Sequence, residues 1–109
     1  MEMNDALSAF GALSQETRLR VLRLLIRSGP KGMLAGEISE ALGVKQNTLS
    51  ANLAILMNAG LLRNVREGRT IRYFADLDGL RGLLRFLMQD CCGGAPELCQ
   101  PILDEITCA

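Results

Sequence analysis

Leu49, Leu53 and Leu56 recur at the i, i+4, i+7 spacing that lines one face of an α-helix, and Ile38, Ala41 and Leu42 recur at i, i+3, i+4 just before them. Gly43 lies between the two patterns and supplies a tight turn, so the stretch predicts two short helices meeting at one core. After Gly60 the period changes. Leu61-Leu62-Arg63-Asn64-Val65-Arg66, Glu67-Gly68 and Arg69-Thr70-Ile71-Arg72-Tyr73-Phe74 read as a β-hairpin, by the central glycine and the β-branched and aromatic content around it.

Helical patterns flank this unit. Ala6, Leu7, Phe10 and Leu13 share one face near the start, and Ser14 is placed to cap a second helix running from Gln15-Glu16 to Gly29. Leu19, Leu22, Leu25 and Ile26 are expected on its inner side, with Arg18, Arg20, Arg23 and Arg27 as a solvated face. Asp78 is expected to cap a last clear helix whose Leu80, Leu83, Leu84, Leu87 and Met88 form an apolar stripe broader than its neighbours require. That stripe and the Leu7–Phe10 face suggest a dimer seam. The fold class expected is therefore mainly α with one β-hairpin, a homodimeric winged helix-turn-helix. Residues 1–90 would bind DNA and dimerise, and residues 91–109 would form a thiol-rich tail.

The faces turned away from the core carry the chemistry. On the second helix of the central pair they are Gln46, Asn47, Ser50, Ala51 and Ala54, small or polar, with Lys45 at its start. Asn and Gln can read adenine, Ser can bond to either kind of base, and Ala lets a helix approach base edges closely. Arg66, Arg69 and Arg72 cluster around the hairpin tip, where guanidinium groups can hold phosphates.

A formal net charge of zero conceals an asymmetry. From Lys45 to Arg72 five basic residues face Glu67 alone. From Asp76 onward Arg81 and Arg85 face Asp76, Asp78, Asp90, Glu97, Asp104 and Glu105. One region attracts phosphate and the other repels it. At 109 residues the chain suits one domain with one modest core. No apolar run approaches the roughly 20 residues of a membrane span, and no basic region precedes an apolar segment at the start, so a cytoplasmic protein is expected.

Four cysteines and no histidine then narrow the chemistry. In a cytoplasmic chain thiols stay reduced, which favours metal binding or redox sensing over structural disulfides. The lack of histidine removes the commonest general base, and with no Cys-x-x-Cys present an enzyme is not expected. Cys91 and Cys92 are adjacent, about 3.8 Å apart at Cα, too close to make a good disulfide with each other but suited to share one soft ion. In an unbroken helix Cys99 would lie about 10.5 Å further along the axis. Gly93-Gly94 and Pro96 are expected to break the helix and let Cys99 fold back. Three thiolates suit a pyramidal trivalent ion such as As(III) or Sb(III), whereas Cys108 as a fourth would complete a tetrahedral zinc site.

The chain resembles the ArsR/SmtB family of metalloregulatory repressors over nearly its whole length. The resemblance lies in the run Ala-Leu-Ser-Gln-Glu-Thr-Arg-Leu-Arg-Val-Leu-Arg-Leu-Leu from Ala12 and in Gln-Asn-Thr-Leu-Ser-Ala-Asn-Leu-Ala-Ile-Leu from Gln46. It continues through Ala59-Gly-Leu-Leu and the Arg66-Glu-Gly-Arg wing ending at Tyr73. It implies a homodimer that binds double-stranded operator DNA and leaves it when an inducing ion binds. The family's thiol site ahead of the recognition helix has no match in Met33-Leu-Ala-Gly-Glu-Ile-Ser, and its histidine-containing sites have none either. What matches is an arsenic-responsive branch with Cys-Cys-Gly-Gly and a later Cys, which implies Cys91, Cys92 and Cys99 as ligands of an arsenite or antimonite inducer, with no organic cofactor. Asn52 stands where many relatives have His, a difference expected to touch only the operator. The rival expectations are a disulfide or persulfide redox repressor and a zinc or cadmium sensor.

Overall fold

Helices and a three-stranded sheet build one core in the computed structural model, which describes residues 1–89 and 96–106. In order these are α1 (Met3–Leu13), α2 (Glu16–Ser28), a 3-10 turn (Gly29–Lys31), β1 (Met33–Leu34), α3 (Ala35–Leu42) and α4 (Gln46–Asn58). They are followed by β2 (Leu62–Glu67), β3 (Thr70–Ala75), α5 (Leu77–Met88) and α6 (Pro96–Asp104). The sheet is antiparallel with order β1-β3-β2, Met33 pairing with Tyr73 and Glu67 with Thr70 across a two-residue turn.

The helix-turn-helix forms as its periodicity predicts. Ile38, Leu49, Leu53 and Leu56 are all buried, together with Val21, Leu22, Leu25, Leu61 and Leu62. Gly43 takes the left-handed conformation at φ 65° that an L side chain resists, and Ser39 Oγ donates to the Val44 carbonyl to close the turn. β2 is buried only at Leu62, so from Arg63 onward it stands clear of the core as a wing.

Several local expectations are corrected. Ser14 closes α1 rather than capping α2, since its hydroxyl donates to the Gly11 carbonyl while Gln15 Oε1 accepts the Arg18 amide. Asp76, not Asp78, caps α5 by accepting from the Gly79 amide at 3.0 Å, and Asp78 pairs with Arg81 in the first turn. In α1 the buried side chains are Ala6, Ala9 and Ala12, while Leu7 and Phe10 point outward at 61% and 42% exposure. In α2 Val21 takes a core position and Leu19 and Ile26 are exposed. Ala41 is exposed as well. Pro96 opens a further helix, a place where a missing N–H costs little.

Candidate nucleic-acid interface and thiol region

α4 begins with Lys45 as its N-cap residue, extended at φ −63° and ψ 145°, its carbonyl accepting the Leu49 amide at 2.9 Å. The buried Leu49, Leu53 and Leu56 fix which way this helix is rolled. Gln46, Asn47, Ser50, Ala51 and Ala54 consequently all lie exposed on its outer side. No long apolar side chain interrupts the row Gln46, Asn47, Ser50, Ala51, so a groove wall can approach the backbone there.

The wing joins this face across an open cleft of about 650 Å³, lined by Gln46 and Ser50 of α4, Arg69 and Thr70 of the hairpin, and Glu37 and Glu40 of α3. The fold thus brings Gln46, Ser50 and Arg69 to one concavity. Lys45, Asn47, Ala51 and Arg66 are exposed beside it without lining it. Gly68 at φ 64° makes the hairpin turn that lifts Arg69 to the tip. Two acidic groups in a cleft flanked by basic ones were not anticipated. Glu37 is already engaged, accepting the Leu34 amide at 2.8 Å at the start of α3.

Two side chains singled out in the sequence turn out to be committed elsewhere. Arg72 is ion-paired with Glu67 at 3.0 Å, and its Nη1 donates to the Lys31 carbonyl at 3.3 Å, so it ties the wing to the turn before β1 instead of standing at the tip. Asn52 is only 7% exposed and its Oδ1 accepts from Arg18 Nη1 at 3.1 Å. It faces the core, where a base edge cannot reach it. Arg18, expected on the solvated face of α2, also donates Nε to the Ala12 carbonyl at 2.6 Å. The signal for Asn52 was present in its spacing, three residues after Leu49 and one before Leu53.

Arg63 stacks on the Phe74 ring at 4.2 Å, at the base of the hairpin. The pair is a cation–π contact that stiffens the wing root.

The thiol region lies at the other end of the chain. Cys99 sits on α6, 4% exposed and disulfide-bonded. Cys91, Cys92 and Cys108 fall outside the described residues. α6 shares an apolar groove of about 550 Å³ with α5, lined among others by Leu80, Leu84, Leu87, Ile102, Leu103 and Ile106. α1 packs against α5, so the exposed Leu7 and Phe10 stripe and the exposed Leu84 and Leu87 stripe belong to neighbouring helices. No described helix is long and apolar enough to cross a membrane.

Comparison with known proteins agrees with this architecture. The helix-turn-helix domain family matches residues 13–65. The uncharacterised HTH-type transcriptional regulator YbzH of Bacillus subtilis strain 168 is 30% identical over 95 residues, covering 76% of this chain and 95% of YbzH. An ArsR-like transcriptional regulator from Rhodococcus sp. RHA1 superposes with a TM-score of 0.72 at 28% identity, over 97% of this chain and 96% of that one. The homodimeric winged helix-turn-helix DNA-binding domain Mb0332 of Mycobacterium bovis superposes with a TM-score of 0.66 at 27% identity, over 81% of this chain and 82% of that one.

Proposed function

We propose that this chain, which belongs to the HTH-type transcriptional regulators of the ArsR type, is a homodimeric repressor released from its operator by trivalent arsenic or antimony at Cys91, Cys92 and Cys99. The observation that carries the DNA-binding part is the convergence of Gln46, Ser50 and Arg69 on one open cleft between α4 and the wing. A polar helix face of small residues enters a major groove, and the arginines at the hairpin tip take the phosphates beside it. Lys45, Asn47, Ala51 and Arg66 extend the same surface. The exposed stripes of α1 and α5 supply the apolar faces that a second copy would cover, and the homodimeric Mb0332 domain supports that assembly. Two-fold pairing then presents two α4 faces to half-sites about 34 Å apart.

The sensing part rests on donor chemistry. Thiolates without histidine select soft ions, and three of them match the pyramidal coordination of a trivalent metalloid. Cys99 is carried on a helix that shares a groove with α5, so a ligand drawing the thiols together acts beside the helix of the dimer face.

One observation favours a second reading, a redox-controlled repressor, because Cys99 is disulfide-bonded. In that case two thiols lose two electrons and two protons to a peroxide or a disulfide oxidant and form one S–S bond. A single experiment separates the readings. Reduced protein bound to a fluorescent operator duplex is titrated under anaerobic conditions with arsenite, zinc, cadmium or hydrogen peroxide, and anisotropy is followed. Release by arsenite at stoichiometric levels is expected. Release by zinc or cadmium alone points to a four-thiolate site, and release by peroxide alone to the disulfide switch.

A further inference from the structure

Among the described residues Asn52 is the buried polar side chain, and it sits in the leucine stripe of α4. An amide placed there without a partner loses its bonds to water and gains nothing in return. Its partner comes from a different helix. Arg18 of α2 donates Nη1 to Asn52 Oδ1 at 3.1 Å and Nε to the carbonyl of Ala12 at 2.6 Å. Ala12 lies in the last turn of α1, where carbonyls have no partner inside the helix. One planar guanidinium therefore joins the end of α1 to the middle of α4, and its rigid fork fixes the distance and direction between them.

Stability alone does not call for this arrangement. A leucine at position 52 would continue the stripe of Leu49, Leu53 and Leu56, and apolar side chains can replace both members of a buried bonded pair at little cost. What an apolar stripe does poorly is define one rotational setting, since residues of the right size and hydrophobicity pack in several nearby ways. A directional bond removes that freedom. α1 carries the exposed Leu7 and Phe10 face on its outer side and α4 carries Asn47 and Ser50 on its own, so the bridge ties together, from their inner sides, the helix with the apolar face and the helix with the polar one.

We propose that Arg18 and Asn52 are positioning residues for DNA recognition: their bridge sets the angle of the α4 face relative to α1, and through the dimer the spacing of the two reading faces. This rests on the reading of α4 as the base-contacting helix. The test uses the full chain, a duplex selected by the wild-type protein from a randomised library, and a scrambled duplex of the same length. Asn52→Leu and Arg18→Met each lower the melting temperature, because the first leaves Arg18 Nη1 unpaired and the second leaves both Asn52 Oδ1 and the Ala12 carbonyl unpaired. Each is also expected to weaken binding to the selected duplex about tenfold, the size of one misplaced base contact, and to leave scrambled-duplex binding unchanged. The double variant melts above Arg18→Met, since only the Ala12 carbonyl is then left without its partner, and does not recover the affinity.

Recovery of affinity along with melting temperature in the double variant overturns the proposal, because affinity then follows stability alone. So does wild-type affinity in folded Asn52→Leu, which carries the test if Arg18→Met does not fold. An equal loss on both duplexes for Arg18→Met makes Arg18 a phosphate contact and also overturns it. If the wild-type protein selects no duplex, the base-reading role of α4 fails and the positioning role with it, an outcome the wild-type control identifies before any variant is measured.

Discussion

Arg69 and Arg72 stand three residues apart on one hairpin and carry the same charge, yet they have different tasks because of what surrounds each. Arg69 occupies the two-residue turn and faces open solvent on the cleft, whereas Arg72 is held by Glu67 and the Lys31 carbonyl. A charge at the tip can exchange counterions for a phosphate, and one already paired across the sheet has less to give. Arg69→Ala is therefore expected to weaken binding to any duplex and to lower the slope of log affinity against log salt by about one. Arg72→Ala should leave that slope unchanged. Side chains on the proposed base-reading face should behave differently: Asn47→Ala or Ser50→Ala should cost about 1–3 kcal/mol of discrimination between operator and random duplex. Equal losses on both duplexes would remove these two residues from base reading. At this scale the sequence displayed the candidate groups but not their commitments. Arg72, Asn52 and Arg18 look like free polar side chains in a list of residues, and only the sheet register and the roll of α4 reveal partners 5 to 41 positions away.

Elements were more legible than side chains, because period and punctuation act locally. Gly43, the Leu49–Leu53–Leu56 stripe and the Gly68 turn dictate α3, α4 and the wing with no reference to the rest of the chain. β1 escaped notice since two residues, Met33 and Leu34, show no period at all, and they become a strand only because β3 offers an unpaired edge. The apolar face of α1 was seen and its direction was not. Helix packing at close range favours alanine, so Ala6, Ala9 and Ala12 turn inward and the larger Leu7 and Phe10 turn outward. A similar close approach joins α5 to the end of α4. A Cβ on Gly79 would overlap the carbonyl oxygen of Gly60, which is backbone and cannot swing aside. The Asp76 amide also bonds to the Leu61 carbonyl at 2.9 Å, so the start of α5 is pinned to the turn that follows the reading helix. Gly79→Ala should destabilise the fold by about 1–3 kcal/mol, the usual cost of overpacking a tight contact. Urea denaturation checks this: the midpoint falls and the slope stays. A midpoint equal to wild type would mean that α5 can slide off Gly60 freely.

On the scale of the molecule, two regions of opposite charge have to communicate. The basic stretch from Lys45 to Arg72 is the one proposed to meet DNA, and the acidic stretch from Asp76 onward carries the cysteines. Among the described residues α6 shares a groove with α5, and α5 meets the end of α4 at the Gly79–Gly60 contact, which offers a route from the thiol helix to α4. Bringing the thiols onto one ion should move α6 against α5 and so change how two copies meet. The α4 faces would then no longer match successive major grooves. A coupling of about 1–3 kcal/mol is usual between allosteric sites and corresponds to 5–150-fold lower operator affinity. Linkage requires the operator to weaken arsenite binding by the same factor, a relation that isothermal titration with and without operator duplex measures directly. Cys91→Ser, Cys92→Ser and Cys99→Ser should each bind operator as wild type does and each fail to release it with arsenite, while Cys108→Ser should respond normally. The prediction is exposed at two points. Release from Cys99→Ser by arsenite would take α6 out of the sensor, and failure of Cys108→Ser to release would add a fourth thiolate and turn the site toward tetrahedral ions.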